Sequence, residues 1–114
     1  MPTNTPITPA DFEKIEMLVG TIVDVQPFPK ARKPAYQLTI DFGPHGIRRS
    51  SAQLTVLYTP EALLQKQVVA VVNFPPKQIA TFRSECLVLG AVADDGAVTL
   101  LQPERPTANG LRIA

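Results

Sequence analysis

Asn73-Phe74-Pro75-Pro76-Lys77-Gln78-Ile79-Ala80-Thr81-Phe82-Arg83-Ser84-Glu85-Cys86-Leu87-Val88-Leu89-Gly90-Ala91 is the stretch that decides the fold. It follows an unbroken apolar run, Val68-Val69-Ala70-Val71-Val72, whose length and β-branched content predict a buried strand. Pro75 and Pro76 lack the backbone N–H that a central ladder needs, so the chain has to leave the sheet there. It returns as a second apolar run, Leu87-Val88-Leu89. Between the runs stand Asn73, Lys77, Arg83, Ser84 and Glu85, polar groups on a loop held at both ends by buried strands. Loops carried by a rigid scaffold are where binding residues concentrate.

Working outward, Thr8-Pro9-Ala10-Asp11 is a helix start. Thr8 can N-cap, Pro9 suits the first helical position, and Asp11 is favoured by the positive end of the helix. A short helix to about residue 14 or 15 is expected, with Phe12 and Ile15 packed inward and a flexible arm over residues 1–8 before it. Residues 18–25 predict the first strand, with Gly20 marking a bend or bulge. Residues 27–34 hold three prolines and three cations and predict an exposed loop. The second strand has the clearest alternation, with Tyr36, Leu38, Ile40 and Phe42 on one side and Gln37, Thr39 and Asp41 on the other. Gly43-Pro44-His45-Gly46 closes a hairpin into a third strand, residues 47–54.

Thr59-Pro60-Glu61 repeats the Thr-Pro start and predicts one or two helical turns. A fourth strand is expected over 67–74 and a fifth over 85–92; Asp94-Asp95-Gly96 then turns the chain into a short last strand, 98–101. Pro103 and Pro106 predict an extended tail ending in Leu111-Arg112-Ile113. This order predicts an all-β domain over residues 9–114: a five-stranded OB-fold barrel with a short N-terminal helix and a helical turn between strands three and four. The pattern by itself leaves an SH3-like barrel or a sandwich open.

With 114 residues, 45% hydrophobic and 18% charged, the chain suits one domain with a real core. Its apolar runs fall far short of the ~20 residues that cross a bilayer, and the first residues lack the basic start and apolar segment of a secretory signal. A cytoplasmic protein without membrane insertion is therefore expected. The net charge of +1 conceals an asymmetry. Residues 27–83 carry eight cations (Lys30, Arg32, Lys33, Arg48, Arg49, Lys66, Lys77, Arg83) against Asp41 and Glu61, a net of +6, whereas the rest carries −5. A basic middle on a near-neutral chain suits an anionic or mixed partner.

No catalytic constellation is visible, and a non-enzyme is expected. His45 sits in a hairpin tip without a partner, Asp94-Asp95 belong to a turn, and the single Cys86 reads as a small buried hydrophobe. One cysteine excludes an internal disulfide and a Cys-rich metal site, and no Gly-rich phosphate loop is present, so no cofactor is expected. Binding is better supported. Arg48, Ser50 and Ala52 should face one side of the third strand, and Arg49, Ser51 and Gln53 the other. Beside Asn73, Lys77 and Arg83-Ser84, one of these faces would form a cationic surface rich in hydrogen-bond donors. Phe12 and Phe42 read mainly as core; Phe28, Phe74 and Phe82 are candidates for stacking on a base or gripping an apolar side chain.

The segments Asp11-Phe12-Glu13-Lys14-Ile15, Val19-Gly20-Thr21-Ile22-Val23, Pro34-Ala35-Tyr36-Gln37-Leu38, Ile40-Asp41-Phe42-Gly43 and Arg48-Arg49-Ser50-Ser51-Ala52-Gln53-Leu54 carry a resemblance. Together with residues 73–91 and the closing 103–110, they resemble the tRNA-binding-domain family of OB-fold proteins over nearly everything after residue 10. Ser50-Ser51-Ala52-Gln53, Asn73-Phe74-Pro75-Pro76 and Ser84-Glu85-Cys86-Leu87 look most like that family's secretion-related chaperones. Members that bind tRNA typically show Ser-x-Gly-Met where this chain has Ser84-Glu85-Cys86-Leu87. The resemblance implies a homodimer, with the N-terminal helix and C-terminal segment at its interface, that binds unfolded or exported polypeptides without ATP. The tail's Leu111 and Ile113 suit that pairing. The alternative it implies is a tRNA-binding module. The residues expected to serve either ligand are Phe28, Lys30, Arg32, Arg48, Ser50, Ser51, Gln53, Asn73, Phe74, Lys77, Phe82, Arg83, Ser84 and Glu85.

Overall fold

In the computed structural model, which describes residues 5–114, the alternating run becomes β2 (Tyr36–Asp41), and Leu38, Ile40 and Phe42 are sealed from solvent. An eleven-residue β1 (Met17–Pro27) serves two neighbours. Its second half pairs antiparallel with β2, and its first half, Met17 to Thr21, pairs antiparallel with β4 (Gln67–Val71). Beyond β2 lies β3 (Ile47–Ala52), and beyond β4 lies the two-residue β7 (Leu87–Val88), giving the order β3-β2-β1-β4-β7. The two outer strands are bridged by the residue shortly before β7, where the Glu85 N–H donates to the Arg49 carbonyl at 2.7 Å. The result is the expected all-β fold, a nearly closed five-stranded OB barrel filled by Leu18, Ile22, Leu38, Ile40, Phe42, Val68 and Ala70.

Both Thr-Pro starts behave as read. Thr8 caps α1 (Pro9–Glu13) in a capping box with Asp11, and Thr59 caps α2 (Pro60–Leu63), which drops Leu63 into the core. Of the expected arm, residues 1–4 lie outside the described residues. Ile15 departs from the reading. It is exposed, because α1 lies on the surface with no buried residue and the chain turns at once into β1.

The bulge also lies elsewhere than expected. The β1–β2 register shifts between Ile22 and Asp24, whereas Gly20 is needed for space. A Cβ on Gly20 would stand 2.6 Å from Ile40 Cγ2 and 2.7 Å from the Phe42 ring.

Three further segments differ from the sequence reading. The polar loop after Pro76 contains a small hairpin, β5 (Lys77–Ile79) and β6 (Phe82–Ser84), turned by Ala80 and Thr81. The expected fifth strand is broken: β7 stays on β4, while β8 (Gly90–Val92) peels away to pair with β9 (Val98–Leu100). Gly90 permits that departure, since a Cβ there would fall 2.5 Å from Val98 Cγ1. Finally, the tail is tied to its own barrel. Val19 N–H donates to Leu111 O, Gly110 N–H to Val19 O, and Ile113 N–H to Met17 O, so the tail covers the free edge of the first half of β1. Gln67 holds the tail's approach, its amide exchanging two hydrogen bonds with the Thr107 backbone. Leu111 and Ile113 thus have a role within one chain, and they no longer argue for pairing. Among the described residues, no helix is long and apolar enough to cross a membrane.

Overpacking a filled core costs about 1–3 kcal/mol. Gly20→Ala is expected to lower stability by about that amount in urea unfolding, whereas Gly96→Ala, in an open turn with φ +89, is strained only by its backbone. A Gly20→Ala midpoint equal to that of the parent would show that the close approach to Phe42 is not needed.

Candidate functional site

The edge of β3 creates the site. A strand at the end of a sheet leaves N–H groups without a ladder partner. Here side chains at the end of β6 and just after it replace the missing strand: Ser84 Oγ accepts the Ser51 N–H at 3.1 Å, and Glu85 Oε1 accepts the Arg49 N–H at 3.1 Å. Ser50, fully buried, donates its hydroxyl to the Cys86 carbonyl at 2.9 Å. These bonds fix the β5–β6 hairpin against the barrel wall.

The hairpin is braced from its other side by a second small core. Phe28 turns inward from the otherwise exposed proline-rich loop and packs on Phe82 with ring centroids 5.3 Å apart. Ala35 is buried with them, and Arg49 lays its guanidinium 4.2 Å from the centre of the Phe82 ring. Phe28 and Phe82 therefore face each other within the fold, leaving Phe74, 54% exposed, as the phenylalanine of the three candidates that meets solvent.

Between the proline-rich loop and the hairpin runs a groove of about 500 Å³. Its lining includes Lys30, Arg32, Lys33 and Lys77, with Ser51 of β3 and Gln53 just past that strand's end, and no carboxylate. Among the described residues the ion pairs are Lys14–Asp11 and Arg105–Glu104, near the two ends of the chain, so the groove's four cations are uncompensated. Lys77 also lines a second, mainly apolar pocket of about 310 Å³ with Phe74, Pro75, Cys86 and Leu87, joined by Ser84 and Glu85. Leu87 in turn borders a third hollow that reaches Val92 and Val98 and meets the groove again at Ser51 and Gln53. One face of the barrel thus joins a cationic trough to apolar hollows.

The structure brings together Lys30, Arg32, Ser51, Gln53, Phe74, Lys77, Ser84 and Glu85. It sets other candidates apart. Asn73 uses its side chain inside the fold, accepting from Glu16 N–H at 2.9 Å and donating to Lys14 O at 2.7 Å. Arg48 donates to Val72 O at 3.2 Å, Ser50 is buried, and Arg83 stands exposed opposite Gln78 across the hairpin, outside the groove lining. Sequence reasoning missed Lys33, Leu87 and Val92 as site residues; the first was legible as the third cation of its loop.

Residues 17–112 match the family described as "Putative tRNA binding domain". The chain belongs to the tRNA-binding-domain family. Within it, the chain is similar to the chaperone CsaA. The crystal structure of CsaA from Bacillus anthracis str. Ames superposes with a TM-score of 0.92 at 47% identity, covering 96% of this chain and 100% of that one. CsaA from Picrophilus torridus gives a TM-score of 0.88 at 52% identity, with the same coverage. A methionine–tRNA ligase of Thermococcus onnurineus (strain NA1) is 38% identical over 104 residues, 90% of this chain, yet the chain spans only 14% of that enzyme's length.

Cys86 borders the apolar pocket without being a reactive group. Burial pushes its thiol up from 9.0 to about 11, against smaller opposing effects of the Ser50 hydroxyl and Arg48. At pH 8 the native thiol should react with Ellman's reagent at least about tenfold more slowly than the urea-unfolded chain, since the thiolate is the nucleophile. Because the folded value is raised, the unfolded chain ionises first. Stability attributable to this group is present below pH 9.0 and is lost between there and about 11, and Cys86→Ala should flatten that part of the decline. Equal rates of labelling in native and unfolded protein would contradict this placement.

Proposed function

We propose that the chain is a non-catalytic binding module that holds unfolded or exported polypeptides, without ATP, as a homodimer. The observation that carries this reading is the apolar pocket flanked by the exposed Phe74 and Leu87 on the same face as Lys77. An exposed apolar hollow rimmed by polar groups marks a surface for side chains of a partner. Likeness to two proteins titled as CsaA chaperones supports the same direction. Release would follow from weak, reversible contacts, and two sites on a dimer would raise avidity for a long unfolded chain. Support for pairing comes from α1, none of whose residues is buried within its own chain, and from the open groove that Pro9 and Phe12 form beside Glu13 and Arg112.

A second reading, tRNA binding, is favoured by one observation, the four uncompensated cations of the groove. The two readings differ in their salt dependence. Each neutralised phosphate releases counterions, so RNA affinity falls steeply with salt, whereas apolar contacts do not. Fluorescence anisotropy should show tRNA binding that fades at physiological salt, while an unfolded polypeptide such as reduced, carboxymethylated lactalbumin stays bound. Phe74→Ala should weaken the polypeptide about fivefold or more and leave tRNA nearly unaffected, and sedimentation should give twice the chain mass. Tight tRNA binding at physiological salt, with no polypeptide bound, would make RNA recognition the function; a monomeric mass would remove the dimer.

A further inference from the structure

Lys77 is shared by two surfaces of opposite chemistry. It opens β5 and lines both the cationic groove and the apolar pocket. From Lys77 the hairpin runs three residue steps to Ala80, also in the groove lining, which at about 3.3 Å per step in extended chain is roughly 10 Å. An extended ligand that seats one apolar side chain between Phe74 and Leu87 therefore reaches the cations within about three of its own residues.

What those residues must be follows from the charges. Lys30, Arg32, Lys33 and Lys77 have no carboxylate among the groove-lining residues and no ion pair among the described residues. The one acid bordering the apolar pocket, Glu85, has its carboxylate on the Arg49 N–H at 3.1 Å. A carboxylate entering the groove would gain charge-assisted hydrogen bonds, and a lysine or arginine there would meet like charge. A nucleic acid can satisfy the cations yet brings no aliphatic side chain for the apolar pocket.

Resting on the polypeptide reading above, we infer that this face selects extended segments in which an apolar residue lies within about three positions of acidic residues, and that it disfavours apolar segments flanked by basic ones. Lys77 is the specificity-determining residue, because it is the point at which the two halves of the ligand meet. The pairing of one pocket with one sign of charge gives selectivity by attraction and repulsion together.

The test uses three labelled twelve-residue peptides, each with a central Phe-Leu anchor and, three positions away, two Glu, two Gln or two Lys. At about 50 mM salt the Glu peptide should bind at least about tenfold more tightly than the Lys peptide, with Gln between, and the spread should shrink at about 500 mM as the charges are screened. Lys77→Gln, on the exposed surface, should reduce the Glu-to-Lys spread at least about threefold, read as a ratio of affinities within the variant so that any uniform loss of binding cancels. Equal affinities for all three peptides, or tighter binding of the Lys peptide, would overturn the charge selection and leave the polypeptide reading standing. Binding of none of them by a protein that still binds tRNA would overturn both.

Discussion

The rest of the structure depends on how one sheet edge is closed. β3 has a strand on one side only, and its Arg49 and Ser51 N–H groups would otherwise face solvent or a chance partner. Two adjacent side chains, Ser84 and Glu85, take those hydrogens, and the Glu85 N–H returns one to the Arg49 carbonyl. An intramolecular hydrogen bond that replaces one to water contributes a net of about 0.5–1.5 kcal/mol, so the suture is worth keeping. It also does something a full strand would not: it brings the β5–β6 hairpin to the barrel wall without covering the outer face of β3. Ser51 and Gln53 stay available as the floor of a groove.

Chemistry then divides along the hairpin. Toward its tip the neighbours come from the proline-rich loop and are cations; toward its base they are Phe74, Pro75 and Leu87. The loop can present Lys30, Arg32 and Lys33 outward because Phe28 and Ala35 are anchored inward on Phe82. The departure from the tRNA binders' Ser-x-Gly-Met pattern acquires a physical meaning here. Glu85 keeps its negative charge, but one oxygen of its carboxylate, Oε1, is held by the β3 edge. Cys86 packs beneath with a thiol too poorly ionised to matter.

Much of this was legible in the sequence where periodicity or local chemistry speaks. The alternation from Tyr36 to Phe42, the two Thr-Pro caps and the Pro75-Pro76 exit each dictate a conformation from neighbours in the chain, and together they gave the barrel. The site was only partly legible, because its parts are joined over long separations. Nothing near Ser84 or Glu85 signals a bond to a strand more than thirty residues earlier. Three-residue strands such as β5 and β6 are too short to show a period. Phe28, flanked by Pro27 and Pro29, reads as exposed until Phe82 is placed beside it, and Asn73 reads as a binding group until its amide is seen bridging Lys14 and Glu16. The tail's pairing with β1 was hidden for the same reason: Leu111 and Ile113 carry no local pattern that names their partner.

The central claim is that Ser84 and Glu85 close the β3 edge and thereby build the binding face. Amide hydrogen exchange of the Ser84→Ala, Glu85→Ala double variant tests it most directly. The account predicts that exchange at Arg49 and Ser51 quickens at least about tenfold while Val69 and Ala70 on β4 remain protected, and that polypeptide binding falls with it. Unchanged protection at Arg49 and Ser51, with binding intact, would contradict it.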